Sequence, residues 1–195
     1  PPAPPRELRA EGFDRHVDLA WQRHDEPDVV NYRIYRSIDG NDFTPIGTRP
    51  ATFTRFVDYV GEPPQTFHYR ITAVDLANNE SPPSNVASAE TRTFDDDELL
   101  EMVQQACFRY YWDAAHPDCG MALEVLPGDE NLVALGGSGF GIMALLVATE
   151  REFVSREESV AHLQKIVRFL ERAERFHGVW SHYLDGRSGK VWPLF

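Results

Sequence analysis

The residues that could do chemistry lie in the second half of the chain. Trp180, Tyr183 and Trp192, with His182 among them, crowd three aromatic rings and an imidazole into one run, VWSHYLDGRSGKVW. Such rings either stack on the apolar faces of a sugar or pack in a core, and the run is compatible with both. Asp113, Glu124 and Asp185 are the carboxylates nearest to aromatic residues. Glycoside hydrolysis needs two carboxyl groups flanking the scissile bond. No spacing here sets their distance, so caps, turns and ion pairs are the simpler expectation for each. Gly139-Phe140-Gly141-Ile142-Met143-Ala144 matches GxGxxA, the opening of a dinucleotide-binding unit, with Leu132 to Leu135 as a conceivable preceding strand. That unit also needs a second strand ending in an acidic residue about 20 positions on. Ser155 to Arg175 reads as a helix instead. The glycines then either let elements approach closely or leave free N–H groups facing a ligand pocket.

Other chemistries find less support. His177 and His182 have no third ligand at matching spacing, so structural roles are expected rather than a metal site. Cys107 and Cys119 lie outside any CxxC or ligand-spaced cluster; two free thiols are the simplest expectation, and a disulfide stays open. There is no GxSxG elbow and no phosphate loop.

The elements that must position these residues are helical. Asp95-Asp96-Asp97-Glu98 suits a first turn, where the helix dipole is positive, and Asp95 with Glu98 has capping-box spacing. Leu99, Val103, Ala106, Tyr110 and Trp112 or Ala114 then mark an apolar face running to about Ala115, before His116-Pro117 ends the helix. An irregular connection from Cys119 to Leu135 is expected. A second helix would start near Ser138, as N-cap, and run to about Phe153. A third starts at Ser155-Arg156-Glu157-Glu158, a capping box, with Val160, Leu163, Ile166, Val167, Leu170 and Ala173 on its buried stripe. The tail reads as a hairpin around Asp185 to Gly189. Ile142 to Ala148 is apolar on every side, which normally means a helix surrounded by protein. Only two other helices are available to surround it, which predicts an incomplete domain.

The first ninety residues follow another period. Val17, Leu19 and Trp21 fall on one face, as do Val30, Tyr32 and Ile34, and Phe67, Tyr69, Ile71 and Ala73. Each set is a half-buried strand pattern. Shorter strands fit Phe43–Ile46, Arg55–Tyr59 and Val86–Thr91, with turn signals such as Asp39-Gly40-Asn41-Asp42 between them. Seven short strands argue for a two-sheet sandwich. The pattern resembles a fibronectin type III domain: Pro4-Pro5 before the first strand, Trp21 as the core aromatic, NYRIYRSIDG, FHYRITAVD with Tyr69 in a tyrosine-corner position, and SPPSNVASAET to close. There is no Arg-Gly-Asp triplet, and a spacer or docking role is expected over a binding one, although exposed aromatics such as Tyr35 could meet a sugar.

Composition narrows the partner. The 195 residues are 42% hydrophobic, with 12 Phe, 7 Tyr and 4 Trp, enough to bury a core. Net charge is −12, and both halves are acidic. Nothing here would attract nucleic acid or an anionic lipid surface, and a neutral glycan fits better. No apolar run reaches the roughly 20 residues of a membrane span. The chain opens on Pro1 without a basic-then-apolar leader, so either a signal peptide is gone or the chain is a cut piece.

FRYYWDAAHPDCGMALE, GGSGFGIMALLVATERE and SREESVAHLQKIVRFLERAERFHGVWSHYLDGRSGKVWP together resemble the glucoamylase-like glycoside hydrolases that include endo-β-1,2-glucanases. The resemblance runs from about Asp96 to Phe195. It implies an (α/α)6 toroid with the cleft at one end, an inverting two-acid mechanism without a cofactor, and a secreted or periplasmic location. The acidic segment that supplies catalytic carboxylates in this family falls after the position of Pro193, so no catalytic residue is carried over. The matching pieces near the cleft end make Ser138, Gly139, Phe140, Trp180, His182 and Tyr183 the candidate substrate-binding residues. Twelve helices of about 11–12 residues with links of about 4–6 need roughly 200 residues, so the toroid is expected to be truncated and inactive alone. The resulting expectation is a multidomain chain: an all-β fibronectin type III sandwich at 1–92, then an all-α partial (α/α)6 toroid at 93–195, acting on a neutral polysaccharide or oligosaccharide. The alternative is a non-catalytic module that binds a glycan or docks a protein. Oligomeric state is left open.

Overall fold

A computed structural model describes residues 1–193; Leu194 and Phe195, the last two of the expected second domain, lie outside the described residues. The chain divides into two compact units, Pro1–Leu99 and Leu100–Phe195.

The first unit holds seven strands: β1 (Arg9–Gly12), β2 (His16–Ala20), β3 (Val29–Ser37), β4 (Thr44–Pro50), β5 (Arg55–Tyr59), β6 (Gln65–Asp75) and β7 (Ala87–Thr91). One sheet has the order β1-β2-β5 and the other β4-β3-β6-β7, every pairing being antiparallel. Alternating side chains from both sheets form one core: Val17 and Leu19 from β2, Tyr32 and Ile34 from β3, and Phe67, Tyr69, Ile71 and Ala73 from β6. This is the face-to-face packing that a period-2 pattern demands.

Two details differ from the sequence expectation. Val29, not Val30, is the buried partner of Tyr32 and Ile34, because a register shift between Val29 and Asn31 inserts a bulge and turns Val30 off the core face. Tyr69 is fully buried, but its hydroxyl donates to Asp58 Oδ2 at 2.9 Å rather than to backbone. Arg36 pairs with the same carboxylate at 3.0 Å. Burial, with Asp58 alongside, pushes the Tyr69 phenol far above its ordinary pKa, so it stays a donor.

The chain then forms helix α1 (Asp96–Trp112). The capping box is present: Glu98 N–H donates to Asp95 Oδ1 at 2.9 Å and Asp95 N–H to Glu98 Oε2 at 3.1 Å. The second unit adds β8 (Leu132–Ala134), α2 (Leu135–Glu150), α3 (Arg156–Arg172), β9 (Arg175–Phe176), β10 (Val179–Trp180) and β11 (Tyr183–Asp185). It is therefore not all-α: three helices are joined by short strands among the described residues. The connection from Cys119 to Leu135 is partly ordered as sheet, with bridges Ala115↔Ala122 and Leu123↔Val133. In the tail, Leu184 bridges Val191 as the expected hairpin, while β9 and β10 pair around His177-Gly178. Cys107 is exposed and Cys119 buried, both free thiols, and burial raises the Cys119 thiol to about 11.

The buried faces of the helices shift from those expected. On α1 the buried residue is Phe108, whereas Val103 and Ala106 are exposed. On α3, Ser155 and Glu158 form the predicted capping box, but the buried side carries Ser159, Ile166 and Phe169, with Val160 and Val167 exposed. Ser159 is buried because its hydroxyl shares a 2.6 Å hydrogen bond with Thr149 of α2. Helix α2 buries only Ser138, Leu145 and Ala148. Phe140, Met143, Leu146 and Val147 stay exposed, so the helix that reads as apolar all round is covered on one side.

Candidate functional site at the start of helix α2

Strand β8 runs directly into α2, and β11 pairs with it antiparallel, with Tyr183 opposite Ala134 and Leu184 opposite Val133. Leu184 and Val133 are fully buried, so strand alternation turns Tyr183 to the other face. The Glu124 N–H donates to Leu132 O at 3.0 Å, laying the 122–124 segment along the other edge of β8. These pairings bring residues far apart in sequence to one surface.

Ser138 is not the N-cap. Helix α2 begins three residues earlier, at Leu135, with Ala134 as a cap that contributes no side-chain hydrogen bond. The first N–H of the helix is satisfied from outside, by donation from Leu135 to His182 O at 2.8 Å. Ser138 sits in the first turns, buried, donating its hydroxyl to Ala134 O at 2.7 Å and accepting from Ala122 N–H at 3.0 Å. It ties the 122 segment to the helix. Gly141 serves close approach: a β-carbon there would lie 2.9 Å from the Tyr111 ring of α1. No second strand follows α2, since α3 takes that place, so the GxGxxA match is a packing motif.

Of the six candidate binding residues, the structure places four at an accessible surface. Gly139 has open space beside its α-carbon, and Phe140 is 73% exposed. The exposed His182 ring lies against Gly136, where an added β-carbon would come within 3.3 Å of it. His182 also meets Tyr183 edge-on, with ring centroids 4.4 Å apart. Tyr183 is half-buried and donates its hydroxyl to Glu124 Oε1 at 3.0 Å. That bond, and the Glu124 charge, hold the Tyr183 phenol above its ordinary pKa.

Trp180 is elsewhere. Its indole N–H donates to Leu170 O at 3.0 Å, its ring packs against the core of the unit, and Arg175 stacks over it at 5.0 Å. Among the described residues no ring contact joins Trp180, Tyr183 and Trp192, so the expected aromatic cluster is split. His177 sits at the β9–β10 turn with φ of 49°, and no group of three metal-holding side chains occurs among the described residues. Asp185 is a turn residue: Oδ1 accepts from Ser188 N–H at 2.7 Å, from the Ser188 hydroxyl at 2.7 Å and from Arg187 N–H at 3.2 Å, which lowers its pKa. The Tyr183–Glu124 pair has no counterpart in sequence spacing, because its members stand 59 positions apart.

Over 186 residues, 95% of this chain, the sequence is 45% identical to the exo β-1,2-glucooligosaccharide sophorohydrolase (non-reducing end) of Parabacteroides distasonis. The crystal structure of a β-1,2-glucanase from the same organism superposes with a TM-score of 0.90 at 46% identity, covering 97% of this chain. The chain is homologous to a β-1,2-glucanase. It spans about a quarter of the length of these relatives, 26% of the first and 27% of the second. A Bacteroides uniformis protein assigned as a glucoamylase aligns at 44% identity over 53% of this chain and 26% of its own length, with a TM-score of 0.51. No family model matches the chain.

Proposed function

We propose that this chain is the amino-terminal part of a secreted or periplasmic glycoside hydrolase that cleaves β-1,2-glucan with inversion. In this reading residues 1–92 are a fibronectin type III spacer, and the remainder, 93–195, opens an (α/α)6 toroid. The observation that carries it is the 46% identity and 0.90 TM-score with a β-1,2-glucanase across 97% of the chain. The surface at the start of α2 would form one wall of the glucan cleft, with Gly139, Phe140, His182 and Tyr183 in contact with sugar. Ser138 and Trp180 hold its frame. Hydrolysis takes two opposed carboxyl groups. Asp185 is held in a turn and Glu124 accepts from Tyr183; the reading takes its catalytic acids from a longer polypeptide and makes this chain inactive alone.

The test incubates β-1,2-glucan with the 195-residue chain and with the longer polypeptide that the proposal requires, and follows the products by chromatography. Release of β-1,2-linked oligosaccharides by the longer form alone is the expected result. Cleavage of another glucan in place of the β-1,2-linked one would overturn the linkage. Cleavage by the short chain would overturn its inactivity.

A further inference from the structure

We propose that Glu124 is a sugar-hydroxyl acceptor of this site, held in position by Tyr183, and that it selects neutral over acidic glycans. The inference rests on the glucan reading above and adds to it a residue and a selectivity.

The placement is contiguous. Phe140 lies one helical turn from Gly136, Gly136 abuts the His182 ring, His182 meets Tyr183 edge-on, and the Tyr183 hydroxyl reaches Glu124. The row ends in a carboxylate and begins in an exposed aromatic ring. A pyranose has the same two-sided character: C–H groups for a ring face and a rim of O–H donors. A carboxylate offers about four lone-pair positions, and Tyr183 fills one of them, so acceptor capacity remains for adjacent sugar hydroxyls. Hydrogen bonds to an ionised acceptor are roughly twice as strong as neutral ones.

Tyr183 supplies the order. Glu124 is exposed at the start of a run of exposed residues, 124–130, where a free side chain would lose rotamer freedom on gripping a ligand. The phenol removes that cost beforehand, and strand β11 fixes the phenol through its register with β8. The charge sets the selectivity. The chain carries a net −12, and an anionic sugar brought to Glu124 would meet like charge, whereas a neutral glucosyl unit meets none. In this assignment Glu124 is a binding residue, the Tyr183 ring keeps its own contact with sugar, and the Tyr183 hydroxyl, which Y183F alone removes, positions Glu124.

The experiment titrates the 195-residue chain with β-1,2-linked glucotriose, following amide and ring chemical shifts, with β-1,4-linked glucotriose and a trigalacturonate as comparison ligands. E124Q is expected to weaken glucotriose binding about tenfold and Y183F about threefold, with thermal midpoints within about 2 °C of the parent. The double variant should bind no more weakly than E124Q alone, because Tyr183 acts through Glu124; a merely structural Tyr183 would give additive losses and a lower midpoint. E124Q should also admit the trigalacturonate that the parent rejects. If E124Q and Y183F bind like the parent while H182A binds weakly, the Glu124 assignment is wrong and the glucan site stands. If the parent binds no β-1,2-linked glucotriose, the Glu124 assignment falls, and the glucan reading is decided by the longer polypeptide's products; if it binds the β-1,4-linked one equally, this wall does not select the linkage.

Discussion

The two units solve the same burial problem with opposite success. In the sandwich, Val17, Leu19, Tyr32, Ile34, Tyr69 and Ile71 are at most 1% exposed, and apolar residues such as Val57 and Leu76 are left outside. In the second unit, one helix alone exposes Phe140, Met143, Leu146 and Val147 at 48–73%. The difference lies in geometry. A strand presents every second residue to the core, so one facing sheet can cover it. Helix α2 is apolar around its whole circumference, and a single helix needs neighbours on all sides to bury that. A β-sheet pair can close within ninety residues, whereas an all-apolar helix needs a larger ring of partners.

That contrast can be broken by mutation, beginning with the largest effect. Ile71→Ala removes a fully buried side chain between the sheets and should cost about 2–5 kcal/mol in denaturant unfolding. Leu146→Ala on the open side of α2 should change stability by less than about 0.5 kcal/mol. Equal costs at the two positions would mean that α2 is covered in solution, and sedimentation would show whether a second copy covers it. Next is Gly186→Ala in the second unit. Its β-carbon would lie 2.6 Å from the ring of buried His116, and the overpacking should cost about 1–3 kcal/mol. A loss of that size shows that the closed part of this unit is packed as tightly as the sandwich.

Ser155→Ala removes the reciprocal cap of α3, in which Ser155 Oγ accepts from Glu158 N–H at 3.2 Å, and should cost about 1 kcal/mol. A negligible cost would mark the α3 terminus as already frayed. The smallest effect belongs to a surface turn. Asp39 accepts from the backbone N–H of Asn41 and Asp42 and from the Ser37 hydroxyl, and its pKa is lowered to about 2. A depressed folded-state pKa stabilises above the unfolded value and is lost as pH falls through the folded one. The Ser37–Asp42 turn should therefore loosen between about pH 4 and about pH 2, the unfolded and folded values. Carboxyl carbon shifts would report the midpoint, and a midpoint near 4 would mean that the turn is not formed.

Much of the sandwich was legible because strand alternation is local. β5 falls at Arg55–Tyr59 as read, and the inward sets on β2 and β6 are the buried ones. Alternation misplaces Val30, because a bulge changes phase without any residue that announces it. The helices were legible as segments, and their capping boxes were legible because four adjacent residues make them. Which side of each helix is buried was not, since that depends on partners elsewhere: Phe108 on α1 and Ser159 on α3 go inside while Val103 and Val160 do not. Serine favours the cap role, but strand β8 runs straight into the helix and its last residue, Ala134, takes that place from Ser138. Trp180, His182 and Tyr183 are neighbours in sequence. Their separation into a core tryptophan and a surface pair comes from β10 and β11 belonging to different sheets.

The bond from Leu135 to His182 O also sets an order of assembly. During synthesis Leu135 leaves the ribosome before the residue that satisfies it, and at about 5–20 residues per second the interval is on the order of seconds. Through that interval the most apolar helix of the chain has an unfinished first turn. A nascent chain paused before His182 would present this segment to chaperones, and slow codons placed just after it would lengthen that exposure.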